Sequence, residues 1–208
     1  MKKYLIAAAV ATMIAPAANA LVIEQSETET FSTQTGTLPN TFSFGGYTGT
    51  APLAQVDLSF SGSVFGTITI TNSGSSQIFA NAEAGSQFFF SSNDVSISTP
   101  APQLEASDDL GGLFVPAGGS SSGNISNTAS FSESTTTGLS SFESAFDITL
   151  NTLPFLTLFS NSDNLTATQS TTTDAEITAN YLVEEPISSV PLPAAAWMLL
   201  ASLGALIG

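Results

Sequence analysis

Cysteine and histidine are absent from this 208-residue chain, and lysine and arginine together number two. Each absence removes a class of chemistry. Without cysteine there is no disulfide framework, no thiol nucleophile and no zinc–thiolate site. Without histidine a serine nucleophile lacks its usual general base, and the two lysines, Lys2 and Lys3, stand at the extreme N-terminus. Beyond them no side chain is cationic, so no side-chain salt bridge can form there. Nucleic acid and anionic lipid are implausible partners for such a chain, because neutralising phosphate requires cations.

What is present begins with a leader. Met1-Lys2-Lys3 is basic, Tyr4 to Ala15 is apolar except for Thr12, and Ala18-Asn19-Ala20 supplies a small-x-small cleavage pattern. Residues 1–20 therefore read as a secretory signal peptide, with Ala18 and Ala20 setting cleavage and the mature chain beginning at Leu21. Both basic residues lie inside the leader and all seventeen acids lie after it, none against seventeen, so the mature net charge is −17. A surface of one sign repels itself and stays soluble. The fold must rest on apolar burial and backbone pairing, and the roughly 170 residues between the two ends suffice for one sizeable core.

That middle, 21–186, reads as strand after strand. Phe42 and Phe44 alternate with Thr41 and Ser43, and Val56, Leu58 and Phe60 point one way while Asp57, Ser59 and Ser61 point the other. Thr67-Ile68-Thr69-Ile70-Thr71 keeps the period of two, as β-branched residues on a half-buried pleated surface should. Asn72-Ser73-Gly74-Ser75 predicts a hairpin into a strand around Ser76–Ala84. The aromatic run Phe88-Phe89-Phe90 predicts a strand covered on both faces, and Asp94–Ser98 another short strand. From Pro100 to Asn127 the Pro, Gly and Ser content predicts a long loop with a brief strand at Leu113–Val115. Strands resume at Ser130–Ser134 and Phe142–Leu150, and Pro154 divides the latter from Phe155–Phe159. Asn161–Asn164 reads as a turn, Leu165–Gln169 as a strand, and Ala175, Ile177, Ala179, Tyr181 and Val183 as the last alternation. About ten short strands with closely spaced turn signals predict an all-β fold, an antiparallel β-sandwich.

The C-terminal segment, 187–208, has a different character. Val190-Pro191-Leu192-Pro193-Ala194 is held extended by its prolines, and an uncharged apolar run from Ala194 to Gly208 can continue as a helix with Pro193 in its first turn. Trp197 stands where an aromatic residue would meet a membrane–water boundary, with Leu199 and Leu200 behind it in lipid. The competing reading is a buried C-terminal helix, since fifteen residues fall short of the roughly 20 that span a bilayer. This motif and its Trp-led helix resemble the VPLPA variant of the PEP-CTERM sorting signals of Gram-negative bacteria, which are processed by exosortases, membrane-embedded proteases. The resemblance covers about a tenth of the chain and implies an exosortase-like partner, transient membrane association through the tail, and delivery to the cell surface or extracellular matrix. A weaker resemblance covers 21–185. Thr35–Asn40, the alternation over Val56–Thr71, Leu153-Pro154-Phe155 and the final Thr/Tyr strand look like the choice-of-anchor extracellular domains, most like type E, which implies a surface β domain and carries no catalytic residues.

The remaining chemistry is carboxylate chemistry. Glu133, Glu143 and Asp147 are the candidates for a glycoside-hydrolase pair, which needs two carboxyl groups about 5–9 Å apart. Their alternation with Phe142 and Phe146 places Glu143 and Asp147 on the wet face of a strand, where carboxylates are ordinary. Asn93-Asp94, Asp108-Asp109 and Asn161-x-Asp163-Asn164 could offer oxygen ligands to calcium, although Asn and Asp also occupy turns for their own backbone hydrogen bonds. The expectation is a non-enzymatic exported protein without a cofactor, structural or adhesive at the surface or in an exopolysaccharide matrix, with extracellular polysaccharide as a further partner. A carboxylate-dependent glycan hydrolase and a calcium-dependent binding module are the alternatives.

Overall fold

The computed structural model describes residues 20–34, 40–97, 103–160 and 162–185. The leader up to Asn19, the sorting motif Val190–Ala194 and the tail with Trp197, Leu199 and Leu200 lie outside the described residues, as does Asn161. The chain divides into two units, Leu21–Val183 and the two ends Met1–Ala20 with Glu184–Gly208. In the second unit, the Glu185 N–H donates to the Ala20 carbonyl at 3.0 Å.

Among the described residues the first unit is all β apart from one 3-10 turn at Leu139–Phe142. Its strands are β1 (Leu21–Gln34), β2 (Asn40–Phe44), β3 (Leu53–Asn72), β4 (Ile78–Ser91), β5 (Gln103–Asp109), β6 (Leu113–Val115), β7 (Ser120–Thr135), β8 (Phe146–Phe159) and β9, which runs Leu165–Glu184. They form two sheets, β1-β9-β3-β7 and β2-β8-β4-β5, with β6 beside the start of β4. Every register that links β2 to β9 within these sheets is antiparallel.

Burial explains the pairing. Val56, Leu58, Phe60, Val64, Ile68 and Ile70 of β3 are buried, and opposite them β9 buries Ala175, Ile177, Ala179, Tyr181 and Val183. From the other sheet, Ala80, Ala82, Ala84, Phe88 and Phe90 of β4 and Phe146, Ile148 and Leu150 of β8 close the core. Phe60 and Phe90 meet across the sandwich with ring centroids 4.8 Å apart. Gly62 permits a further contact, since a Cβ there would lie 2.8 Å from the Phe88 ring.

Nine strands, mostly long, stand among the described residues, where about ten short ones were expected. β3 runs unbroken for 20 residues through Gly62 and Gly66, and β9 unbroken for 20 through Ser170–Asp174. β8 passes through Pro154. Among the described residues its pairing with β2 covers Phe146–Leu150, so Pro154 lies beyond that ladder, and on its other side it pairs with Ser86 of β4. The expected loop to Asn127 instead contains β5 and the first half of β7. The segment after β3 is a crossover between the sheets, not a hairpin, because β3 and β4 belong to different sheets. Asp94 sits in a bend rather than a strand, and Phe142 ends the 3-10 turn, so Glu143 is not a strand residue. Phe89 is half-buried, so β4 is covered fully on one face only.

Two devices tie the sheets together at their margins. At one, Gln25 and Glu27 of β1 reach the chain after β2: Gln25 Nε2 donates to the Gly46 carbonyl at 2.9 Å and the Gly45 N–H donates to Glu27 Oε2 at 2.8 Å. At the other, the Ser126 N–H of β7 donates to Asp108 Oδ2 at 2.9 Å and the Asn127 amide donates to the Ser107 carbonyl. Such bridges occupy edge groups that would otherwise be free to pair with another chain.

Candidate functional site

The outer face of the β1-β9-β3-β7 sheet is mostly Ser, Thr and Asn, the residues that alternate with the buried positions, joined by Asp57, Asp174, Glu176 and the exposed Phe65. Neighbouring strands are laced by side-chain ladders: Thr67 to Asn124 at 3.1 Å, Thr69 with Ser122 at 2.8 Å, Thr71 with Ser120 at 2.9 Å, Ser26 to Asn180 at 2.7 Å and Thr28 with Thr178 at 2.9 Å. Cross-strand hydroxyl pairs of this kind stabilise a sheet modestly while keeping its face wet.

The candidate carboxylates come from three separate places in the fold. Asp147 is an exposed outer-face residue of β8, Glu143 follows the 3-10 turn, and Glu133 is on β7 in register with the buried Leu58 of the neighbouring strand β3. Three of the acids considered for calcium, Asp94, Asp108 and Asp109, are committed to backbone and amide donors. Asp94 Oδ2 accepts the Asp147 N–H at 2.9 Å. Asp108 Oδ1 accepts the Asp109 N–H and its Oδ2 the Ser126 N–H, both at 2.9 Å. Asp109 accepts the Gly111 N–H at 2.5 Å and the Asn81 amide at 2.7 Å. Asp163 and Asn164 form a turn whose Asn164 carbonyl receives the Ser73 N–H at 2.9 Å. These are the backbone-binding roles that Asx residues play in turns. Among the described residues no three carboxylates gather into a metal-binding group.

Two tyrosines with ring centroids 5.9 Å apart occupy the core near β1. The Tyr47 hydroxyl donates in a short contact to Glu24 Oε2 and lies 2.6 Å from the Ala51 carbonyl. Burial, reinforced by the Glu24 hydrogen bond and charge, pushes its pKa up to about 12. Tyr181 is fully buried and its hydroxyl has no partner, and burial raises its pKa, with the Glu27 charge adding to it. Neither tyrosine pairing was visible in the sequence pattern.

The outer face of the second sheet departs from this polar character. Phe159 of β8, Phe79 of β4 and Phe114 of β6 lie on three adjacent strands and are 48%, 60% and 66% exposed. Register sets them on one side: Phe79 pairs with Phe114, and Asn81, two residues along β4 from Phe79, pairs with Phe159. The Phe79 and Phe114 rings meet edge to face at 5.1 Å. Behind Phe79, Gly112 adopts φ +87°, and a Cβ there would lie 2.3 Å from the ring, so only glycine lets the ring settle. A cleft beside the row is lined by Ile78, Phe79, Leu158, Phe159, Ser160 and Ser162. The parity of Phe88 and Phe90, both inward, was the signal that turned Phe79 outward.

No protein-family model matches the chain, and neither does any curated protein. Among solved structures, infectious bursal disease virus of the Gx strain aligns at 12% identity over 80% of this chain and 38% of the viral one, with a TM-score of 0.21. The VP2 subviral particle of the same virus aligns at 14% identity over 82% and 45%, with a TM-score of 0.18. The parasporin-2 toxin of Bacillus thuringiensis aligns at 7% identity over 80% and 71%, with a TM-score of 0.13. The chain spans less than half the length of these viral chains, and likenesses of this strength carry no argument about role.

Proposed function

We propose that this is an exported, non-catalytic protein of the cell surface or exopolysaccharide matrix, structural or adhesive, delivered by the leader at 1–20 and sorted through Val190–Ala194 by an exosortase-like membrane protease. The observation that supports it is the division of labour in the sandwich. Several of its acids brace turns and edges, whereas the outer face of the β1-β9-β3-β7 sheet is mostly hydroxyls and amides, with Asp57, Asp174 and Glu176 among them. A surface of that kind exchanges hydrogen bonds with a hydrated, uncharged matrix and, at a mature charge of −17, repels polyanions. The test is intact mass and fractionation of the protein from its own host. A species beginning at Leu21, ending near Val190–Ala194 and recovered with the surface or matrix is expected. A chain retaining its tail in the inner membrane would overturn the sorting role. Replacing Pro191 and Pro193 with Ala is expected to leave the sandwich folded and to block maturation, and unchanged processing would refute the motif assignment.

A further inference from the structure

Resting on the adhesive reading, we infer that the row Phe159, Phe79, Phe114 is the platform on which a segment of uncharged polysaccharide lies. Exposed apolar rings are ordinary when scattered, but three on adjacent strands, two of them locked edge to face and one seated over Gly112, form a fixed surface. The row crosses two strand spacings, about 10 Å, on the flat outer side of a sheet.

The occupant follows from area and charge. Taking about 200 Å² per phenylalanine ring, the exposed fractions amount to roughly 350 Å². That falls short of the roughly 800 Å² per partner of a stable protein interface, and a second copy would also bring its own −17 charge. The same charge repels an acidic polymer. A cationic peptide would need a free carboxylate, but the cleft lining holds none, and both oxygens of nearby Asp109 are occupied by Asn81 and Gly111. An uncharged sugar chain needs neither charge nor a large footprint. The C–H faces of its rings are apolar and cover the phenylalanines, while its hydroxyls reach Ser160 and Ser162. Asn81, opposite Phe159 in register and two residues along β4 from Phe79, is held by Asp109 through its amide nitrogen and keeps Oδ1 buried and without a partner. A sugar hydroxyl reaching that oxygen would satisfy it.

The test is affinity electrophoresis of the whole chain through gels containing dextran, xylan or a mixed-linkage β-glucan. Wild type is compared with the triple variant Phe79→Ala/Phe114→Ala/Phe159→Ala and with the triple Tyr variant that keeps the rings. Retardation of wild type by at least one polymer is expected, with about a tenfold loss of affinity for each ring removed, about 1.4 kcal/mol, and retention in the Tyr variant. Should the triple Ala variant lose the far-ultraviolet dichroism of wild type, Phe114→Ala alone, at the most exposed ring, carries the comparison. Equal retardation of wild type and Ala variants would overturn the platform while leaving an adhesive protein that binds elsewhere. No retardation of wild type by any of the three polymers would overturn the inference, while recovery from the host matrix remains the separate measure of the broader reading. A wild-type dimer in sedimentation that the Ala variant dissolves, or ring-dependent capture of polylysine without glycan binding, would overturn it in favour of those partners.

Discussion

Removing a hydroxyl from the centre of this protein should make it more stable. Tyr181 of β9, in register with Val56 of β3, is fully buried, and its Oη has no hydrogen-bond partner. A buried polar group without a partner costs about 1–3 kcal/mol in lost hydration. Tyr181→Phe deletes that cost and leaves a void the size of one oxygen, worth only about 0.2–0.3 kcal/mol by cavity volume. A net stabilisation of about 1 kcal/mol is expected, which for a chain of this size raises Tm by roughly 2–4 °C. Tyr47, in the neighbouring ring, supplies the contrast. Its hydroxyl bonds Glu24 and the Ala51 carbonyl, so Tyr47→Phe should lower stability by about 1–2 kcal/mol. Urea and thermal unfolding of the two variants under identical conditions give the signs directly. If Tyr181→Phe lowers Tm as Tyr47→Phe does, the buried hydroxyl has a partner, such as an enclosed water, and the accounting above is wrong.

Stability should also fall at high pH. The Tyr47 hydroxyl ionises near 10 when unfolded and about 12 when folded, so its contribution is whole below pH 10 and is lost as pH rises towards 12. Alkaline denaturation followed from pH 9 to 12 should show that fall, flattened in Tyr47→Phe; an unchanged slope would count against the Glu24 pairing. Gly62→Ala drives a methyl into the Phe88 ring at 2.8 Å and should cost about 1–3 kcal/mol in the urea midpoint, partly recovered by Phe88→Leu in the same chain. Because Asp94, Asp108 and Asp109 spend their oxygens on backbone and amide donors, millimolar calcium should leave Tm unmoved. A saturable rise of several degrees would restore the calcium-dependent alternative.

The parts of the fold that could be read in advance are those where one face is apolar and the other polar. Val56, Leu58 and Phe60 against Asp57, Ser59 and Ser61, and the closing alternation from Ala175 to Val183, lie as their period of two requires. Continuity could not be read, because it is imposed by partners. The Ser-rich first half of β7 has almost no apolar signal of its own and is a strand because it lies in register along Gly66–Thr71 of β3. Gly62 resembles a break and is instead the opening through which Phe88 packs. The crossover at Asn72 looked like a hairpin because its turn residues are the same. What directs the chain to the other sheet is the buried Asn72 side chain, whose amide donates to the Ser76 and Val115 carbonyls and whose Oδ1 accepts the Gly74 N–H.

The candidate site was hidden by the same logic. Hydrophobic pattern alone would send Phe79 inward and let its neighbour Ala80 face water. Ala80, Ala82 and Ala84 are inside because Phe88 and Phe90, further along the same strand, set the parity, and a strand cannot reverse its faces without a bulge. The inner face of β4 therefore carries Ala80, Ala82 and Ala84, the last two in register with Leu158 and Leu156 of β8, and the large rings at Phe79, Phe114 and Phe159 are placed outward. Their exposure is a consequence of register rather than of the residue type. Register, unlike hydrophobicity, is a property of the paired sheet, and a single strand read alone does not contain it.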